Sequence, residues 1–434
     1  MVFLPLIVLL SFLAHSSAVG ASVELAPVVS GSNSDVTPQN QVSLNYASSN
    51  SSIQATVNVI MMLPSILLEE IDCARAVTCS QEGVNVTFSN QTSWNQAYGL
   101  WPSSNFLFIT NHLGNCDGVN NRGFYLVDSV SFDNGSLTVI SSSSKIGLKD
   151  YASSASIRFN SSTSLPSRKR DTTATVSADL SGVLVNATDL NIDVTEADFT
   201  STLDFSGGVD FDFLTFHLEA LYVDFDLSAS ADLAIAANAS ASYSHSLYSY
   251  TPASLSVSAF TIPDILSVGP YIEFSVGIEF GVSVAVDTIT EATFDLTDGK
   301  VHLDLVNYSD SNISGWTPTY TNQANISVDA EVQLNPYAET TVGFGIDVLD
   351  GLVNLSAGIE AKPEIVNAFW STGAFSYSSD SGVSIVKGTG SCTNGLWYES
   401  IFDFSITAFV GSLWSAKLYD IEVPIYRTNC VSWV

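Results

Sequence analysis

Rows of carboxylates are the residues in this sequence best suited to chemistry. Two facing carboxylates can hydrolyse a glycosidic bond, and clustered carboxylate oxygens can bind calcium. Alternating acids on a solvated sheet face are the simpler interpretation, because an acidic protein carries them without any site. We therefore predict a solvated face, with no catalytic residue, no metal and no other cofactor. The acids in question are Asp224, Asp226, Glu273, Glu279, Asp329, Glu331 and Asp347.

Histidines and tryptophans are the other side chains that could form a site. The sequence contains no His-Glu-x-x-His zinc motif, no Gly-x-Ser-x-Gly nucleophile elbow and no Walker loop. His217 and His302 lie in alternating segments, so we interpret them as ordinary sheet residues. Exposed tryptophans could stack on sugars, although packing in the core is the simpler expectation. Trp316, within Ser-Gly-Trp-Thr-Pro, is the one predicted to lie in a loop.

Strands with one dry and one wet face must position these carboxylates. Apolar residues occupy alternate positions over 223–235, 272–286 and 326–334. This period of two places the apolar set on one sheet face and the acids on the other, whereas a helix would scatter both. Alternation indicates antiparallel strands, so we predict a large antiparallel β-sandwich or barrel-like domain. Asp298-Gly299 predicts a hairpin between 292–296 and 301–305.

Composition divides the chain into five segments, and the fold class is mainly β. The signal peptide is predicted from an apolar run followed by small residues, and the lead-in is rich in Ser and Asn. The segments are a signal peptide (1–21), a flexible lead-in (22–58), a small α+β domain (59–159), a linker (160–178) and the antiparallel β domain (179–434).

The small domain is predicted to combine a short helix with several strands. The helix is expected at 93–98, and strands are expected at 84–88, 106–109, 124–127 and 137–140. The linker that follows is Ser/Thr-rich and contains the basic pair Lys169-Arg170. Paired bases in an exposed loop are cut by kexin-like proteases of the secretory pathway, so we predict processing there; an ordinary solvated basic loop is the alternative.

Acidic residues dominate the later part of the chain and exclude some partners. The formal charge of −31 arises from 44 acidic and 13 basic residues. Residues 1–170 carry 10 acidic and 8 basic residues, whereas 171–434 carry 34 and 5. A polyanion repels nucleic acid and anionic membranes. No later stretch reaches the roughly 18 apolar residues of a spanning helix, so we predict neither nucleic-acid binding nor a membrane span.

Glycosylation sequons are spread along the chain and agree with a secreted protein. One Asn-x-Ser/Thr pattern arises easily by chance, but a series behind a predicted signal peptide carries more weight. The acceptors are Asn50, Asn85, Asn90, Asn134, Asn160, Asn186, Asn238, Asn307, Asn312, Asn325 and Asn354.

The 5 cysteines are too few for a disulfide scaffold, but an oxidising compartment favours pairing. Cys392 and Cys430 bracket the last segment and form the first predicted pair. Cys79 and Cys116 form the second pair. The sequence leaves open whether Cys73 takes the place of Cys79.

The order of features resembles a group of large secreted proteins of filamentous fungi built from two domains of unknown function. In the first domain the resemblance rests on Cys79, the 84–88 strand, Trp101-Pro102, Cys116 and the 125–132 stretch. In the second it rests on the alternating strands and on a tail that opens at Cys392-Thr-Asn-Gly-Leu and closes at Cys430. The resemblance implies an extracellular fungal setting and no catalytic residue. Some members are attached to the cell surface, but this sequence lacks the C-terminal anchor.

These observations favour a secreted, non-enzymatic glycoprotein of the extracellular space or cell wall. Its expected partners are cell-wall glycans or other surface proteins. One alternative is a carbohydrate-active enzyme or glycan-binding protein that uses a carboxylate and aromatic cleft. Another is a carrier that holds an apolar ligand in a cavity of the β domain. A cleft with two carboxyl groups would favour the enzyme, a large apolar cavity the carrier, and a filled core the structural role.

Overall fold

A computed structural model describes most of the chain. The predicted signal peptide, His112, the Lys169-Arg170 pair, Asp329, Glu331 and Cys392 lie outside the described residues. Those described are 23–29, 35–111, 114, 116–161, 174–251, 255–256, 259–282, 286–326, 332–349, 351–372, 374–378, 382–386 and 395–432.

Strands make up most of the described chain, with two α-helices, α1 (Gln91–Leu100) and α2 (Leu148–Tyr151), and short 3-10 turns at Leu68–Glu70 and Tyr308–Asp310. The strands are β1 (Val23–Glu24), β2 (Ala26–Val28), β3 (Gln39–Ala47), β4 (Gln54–Leu67), β5 (Ala74–Cys79), β6 (Val84–Phe88), β7 (Phe106–Thr110), β8 (Gly123–Asp133), β9 (Thr138–Ile146), β10 (Ala152–Asn160), β11 (Ala174–Asp179), β12 (Gly182–Asn186), β13 (Leu190–Asp212) and β14 (His217–Ala239). They continue as β15 (Tyr243–Tyr250), β16 (Leu255–Ser256), β17 (Phe260–Ile262), β18 (Leu266–Val282), β19 (Val286–Asp304), β20 (Asn312–Ser314), β21 (Thr319–Ile326), β22 (Val332–Val348), β23 (Val353–Thr372), β24 (Ala374–Ser378), β25 (Gly382–Val386), β26 (Gly395–Val410), β27 (Trp414–Arg427) and β28 (Val431–Ser432).

Two large sheets contain almost all of these strands. The first sheet has 16 strands, in the order β20-β19-β14-β13-β10-β4-β7-β8-β9-β6-β5, with β2, β3, β11, β12 and β21 paired beside this path. The second sheet has 10 strands, in the order β1-β17-β18-β22-β23-β26-β27, with β15, β16 and β28 beside it. Neighbours are antiparallel except for β1 with β17 and β4 with β7. The predicted mainly β, antiparallel fold is confirmed.

The apolar faces of the two sheets pack against each other. In β18, Phe274 and Phe280 are buried at the positions that the alternation predicted. The Phe199 ring of the first sheet stacks on Phe274 of the second, with centroids 5.1 Å apart. Phe294 meets Phe404 across the same interface at 5.6 Å. The sandwich form of the prediction is therefore the one adopted, because each sheet buries its dry side on the other.

The first part of the chain adds a second core to this sandwich. Helix α1 covers the predicted helix and begins at Asn90, whose side-chain oxygen accepts the Ser93 N–H at 2.8 Å. Its buried face packs in a cluster with Phe88, Trp101 and Phe108. The first sheet nevertheless contains strands from both the earlier and the later part of the chain, since β10 pairs with β13 over Ser154–Asn160.

The predicted flexible lead-in contains regular strands instead. β3 and the first part of β4 lie within 22–58 and pair with each other. Val42, Leu44 and Tyr46 are buried at alternate positions of β3. The Ser- and Asn-rich composition hid this alternation, because those polar residues occupy the wet face of the strand.

The predicted hairpin at Asp298-Gly299 is wrong. Both flanking segments belong to one strand, β19, and both pair with β14. The register slips by one residue between Leu227 and Ala229 of β14, so the Asp-Gly pair marks a β-bulge. Gly315 packs so closely on the Asp298 carbonyl that a Cβ would clash, and its φ of 75° suits glycine.

Two of the alternating segments also cross strand boundaries. The 272–286 segment is split between β18, which ends at Val282, and β19, which begins at Val286 in the other sheet. The 326–334 segment likewise falls on the end of β21 and the start of β22. Alternation continued in phase from one strand to the next, so the period alone could not reveal the change of sheet.

The cysteines that the structure describes take distinct roles. Cys79 and Cys116, the second predicted pair, form a disulfide with Cα atoms 4.9 Å apart. Cys73 is a free, buried thiol, which resolves the alternative left open above. Cys430 is disulfide-bonded.

Candidate functional site

The predicted carboxylates that belong to the described residues lie on two opposite faces and do not form one group. Asp224 and Asp226 lie on the wet face of the first sheet, whereas Glu273 and Glu279 lie on the wet face of the second. Because the dry faces pack together, these two wet faces point away from each other. Asp347 ends β22, where its carboxylate accepts the Gly351 N–H at 2.8 Å.

On the first sheet the acids form a solvated row. Asp204 and Asp226 are directly opposite on β13 and β14. Partial burial, and then the charge of Asp226, raise the pKa of Asp204. Asp224 contacts His302, with Oδ1 and Nδ1 2.6 Å apart on a partly exposed surface. The first wet face is therefore a row of acids on a partly exposed surface.

On the second sheet the acids surround one lysine. Lys362 lies 3.0 Å from the Glu364 carboxylate and 4.3 Å above the Tyr337 ring. Glu364 is directly opposite Asp403 on the neighbouring strand. We call the group Tyr337, Glu339, Lys362, Glu364 and Asp403 the lysine cluster.

Carboxyl groups of the lysine cluster are held in an unfavourable environment. Burial is the main cause that raises the pKa of Glu339, Glu364 and Asp403, and nearby acids add to it. Within the described part of the chain, the buried Oδ1 of Asp403 has no hydrogen-bond partner. Raised carboxyl pKa values occur at catalytic acids, but they also occur in crowded structural networks.

The cavity found beside these acids, among the described residues, is too small for a bound sugar or an apolar ligand. The cavity beside the lysine cluster lies between the sheets, lined by residues such as Leu233, Phe294, Pro336 and Glu364, and encloses about 20 Å³. That volume holds about one water molecule. Among the described side chains, no group of three or more His, Cys, Asp or Glu residues is arranged to hold a metal ion.

Five tryptophans have described side chains, and they differ in burial. Trp397 and Trp414 are half-buried, whereas Trp94, Trp101 and Trp316 are buried. Trp316 lies in a loop, as predicted, but its Nε1 donates to the Lys300 carbonyl at 3.0 Å and its ring stacks near Phe404. Trp101 donates to the Val36 carbonyl at 2.8 Å. These buried rings are not available as sugar platforms.

The acceptor asparagines lie at the surface wherever their side chains are described. Asn85 is half-buried, and the side chain of Asn325 lies outside the described set. The exposed ones are Asn50, Asn90, Asn134, Asn160, Asn186, Asn238, Asn307, Asn312 and Asn354. Asn354 belongs to the second sheet, and the others belong to the first sheet and its connections.

A cavity of about 170 Å³ lies between residues 46–149 of the chain and two turns of the second sheet. We call it the junction cavity. Tyr46, Arg122 and Lys145 line one side, and Asp264 and Leu349 line the other. Sequence analysis missed it because these residues are far apart in the chain and share no motif. A larger groove of about 350 Å³ opens near Asp35 and Glu70.

Arg122 is the most constrained side chain of the junction cavity. Its Nε donates to Glu69 at 2.8 Å, its Nη2 also contacts Glu69, and its Nη1 donates to the Asn45 carbonyl at 3.0 Å. Burial opposes its charge, but Tyr46 and Glu69 outweigh that effect and raise the pKa of Arg122. Burial raises the pKa of Tyr46, whose ring lies 4.5 Å below the guanidinium.

No helix in the described part of the chain has the length and apolar character needed to cross a membrane. Comparison with curated proteins and with solved structures produced no match. Comparison with protein families matched residues 58–156 to a domain of unknown function, DUF7029, and residues 171–363 to another, DUF7223. The chain therefore contains two domains of unknown function, in that order.

Proposed function

We propose that this protein is a secreted, N-glycosylated protein of the extracellular space or cell wall, with a structural or interaction role. The observation that carries the proposal is the placement of its sequons. Every acceptor asparagine with a described side chain is exposed or half-buried, although the asparagines were identified from the sequence alone. A glycan needs such access, because it is bulky and must point into solvent.

The filled sandwich supports a non-enzymatic role. Phenylalanines from both sheets meet in the described interior, and the cavity found there beside the lysine cluster has room for about one water. An apolar carrier would need a far larger space. A glycoside hydrolase would need two carboxyl groups about 5–10 Å apart flanking a bound sugar, whereas the lysine cluster lies on a sheet face.

Secretion and glycosylation are tested by expressing the full chain in a yeast or filamentous-fungal host. We expect the protein in the culture medium, with a mass that falls when N-glycans are removed enzymatically. Replacing the exposed Asn238 by Gln should lower the glycosylated mass by one glycan. Retention of an unmodified chain inside the cells would contradict the proposal.

Processing at Lys169-Arg170 belongs to the same proposal, because kexin-like proteases act in the secretory pathway. Mass analysis of the secreted protein should show a new N-terminus at Asp171, and the change Arg170→Ala should abolish it. An intact Arg170–Asp171 bond in secreted material would show that the basic pair is an ordinary loop.

Glycans and other surface proteins are the partners we propose. The charge of −31 disfavours nucleic acid and other polyanions. A binding screen against neutral, basic and acidic polysaccharides tests this choice. Retention on polyanions alone, at physiological ionic strength, would contradict it.

A further inference from the structure

The junction cavity is built from parts of the chain that only the tertiary fold brings together. Tyr46 comes from β3, Arg122 from the loop before β8, and Lys145 from the end of β9. The opposite wall consists of the turns that follow β17 and β22, including Asp264 and Leu349. Ligand sites are frequent at such junctions between structural units.

Its polar groups are fixed before any ligand arrives. The Arg122 side chain is 1% exposed, and Glu69 and Asn45 hold it in place. These contacts use three of the five N–H donors of the guanidinium, so Arg122 fixes this side of the wall as a buried support. Lys145 is held by Asp117 at 2.7 Å.

The opposite wall has an unusual backbone. Asp264 and Leu349 adopt positive φ angles of 62° and 54°. The Leu349 N–H donates to the Ile265 carbonyl at 2.9 Å, which ties the two turns together. Non-glycine residues in this conformation cost free energy and are concentrated at ligand sites.

Charge balance narrows the class of ligand. Arg122 is paired with Glu69 and Lys145 with Asp117, while Lys149 and Asp264 add one further charge of each sign to the lining. The cavity therefore offers many hydrogen-bond donors and acceptors without an excess of positive charge. Such a lining suits hydroxyl groups better than an anion, which the negative charge of the whole protein also repels.

We propose that the junction cavity binds one neutral sugar residue. A cavity of about 150 Å³ accommodates a six-membered ring such as benzene, and this cavity, at about 170 Å³, is of the same size. Lys145 and Asn121 would donate to ring hydroxyls, and Asp264 would accept from them. The sugar is either free or the terminal unit of a longer glycan, since the recognised hydroxyl groups are the same in both.

The test uses the full secreted protein, treated to remove its own N-glycans, and a panel of neutral methyl hexosides. Isothermal titration should show saturable binding of at least one hexoside to a single site. Absence of binding across the panel, or tighter binding of inorganic phosphate or glucuronate, would overturn the proposal. Oligosaccharides that end in the same sugar distinguish the source: comparable affinity indicates a terminal residue, and weaker affinity indicates a free monosaccharide.

Two variants locate the site. Asn121→Trp should fill the cavity and weaken binding more than tenfold, whereas Asn191→Trp, at an exposed position of β13, should not change it. Asp264→Asn should weaken binding about tenfold by removing a charged acceptor. Asparagine tolerates the positive φ, so this variant should fold. Unchanged affinity in a folded Asn121→Trp variant would place the ligand elsewhere.

Discussion

The two wet faces of the sandwich carry similar alternating acids but surround them with different neighbours. On the first sheet, Asp204 and Asp226 stand in a row with Thr and Ser, and the half-buried Tyr222 ring lies against Gly208. On the second sheet, the Tyr337 ring lies against Gly277 and is itself buried. The second face is therefore the more dehydrated of the two, because its aromatic ring is more deeply buried.

Replacing Phe344 by Ala should have the largest effect on stability, and it tests whether the two faces share one interior. Phe344 of the second sheet packs against Phe205 and Phe225 of the first. We expect the free energy of unfolding to fall by about 3–5 kcal/mol, measured by denaturant titration. Leu413→Ala is the control, since Leu413 is 69% exposed. Equal small losses in both variants would mean that the sheets do not pack as described.

Gly277→Ala tests the dehydrated face directly. A Cβ at this position would lie 2.5 Å from the Tyr337 ring, so the ring must move away from Lys362. We expect a loss of about 1–3 kcal/mol in the free energy of unfolding. Gly269→Ala, on the same face of β18, meets its nearest neighbouring atom only at 4.0 Å and should be nearly neutral. If both variants behave alike, the ring does not depend on the glycine.

Acidification should stabilise the protein before it destabilises it. Four carboxyl groups have raised pKa values in the folded state: Asp204, Glu339, Glu364 and Asp403. Between the unfolded and the folded pKa of such a group, the folded protein binds more protons than the unfolded chain. The free-energy cost of keeping these groups ionised in the folded state is present at neutral pH and is relieved as the pH falls through their folded pKa values.

Asp210 has the opposite effect on stability at low pH. Its ion pair with Arg158 lowers its pKa below 3.8, so the stability it contributes is lost as the pH falls below that value. Thermal unfolding followed between pH 7.5 and pH 3 should therefore show a maximum in the mildly acidic range. A melting temperature that falls steadily from pH 7.5 downwards would contradict this prediction.

Glu339→Gln should have the smallest effect, and its sign separates the two faces. Removing a carboxyl group whose pKa is raised by burial and by Glu360 should stabilise the protein at pH 7 by up to about 1 kcal/mol, reduced by solvent screening. The gain should vanish at pH 4, where the wild-type carboxyl group is largely protonated. Glu219→Gln, at an exposed position of the first sheet, should show neither change. A gain at pH 7 in both variants would indicate net charge as the cause.

Local patterns predicted several elements closely. The strand at 84–88 and the helix around 93–98 were predicted correctly because the hydrophobic pattern of such elements is encoded by neighbouring residues. The prediction of a flexible lead-in was wrong because the polar residues on the wet face of its strands dominated the composition. The hairpin prediction at Asp298-Gly299 was wrong because a β-bulge and a hairpin turn can use the same residues. Only the pairing of both flanking segments of β19 with β14 distinguishes them.

The candidate sites were less predictable than the strands. The acids of the lysine cluster alternate like any others, and their raised pKa values arise from burial and from charged neighbours on four strands. The junction cavity had no sequence signal beyond the relative abundance of basic residues before 170.

The sequence by itself determined that extended strands with one dry and one wet side dominate the later chain, because side chains of a strand alternate regardless of its partner. The tertiary structure decided which strands share a sheet, and therefore that Asp224 and Glu273 point away from each other. It also decided that Tyr46, Arg122 and Asp264 line one cavity. Such groupings depend on pairing between distant segments, which the order of neighbouring residues does not specify.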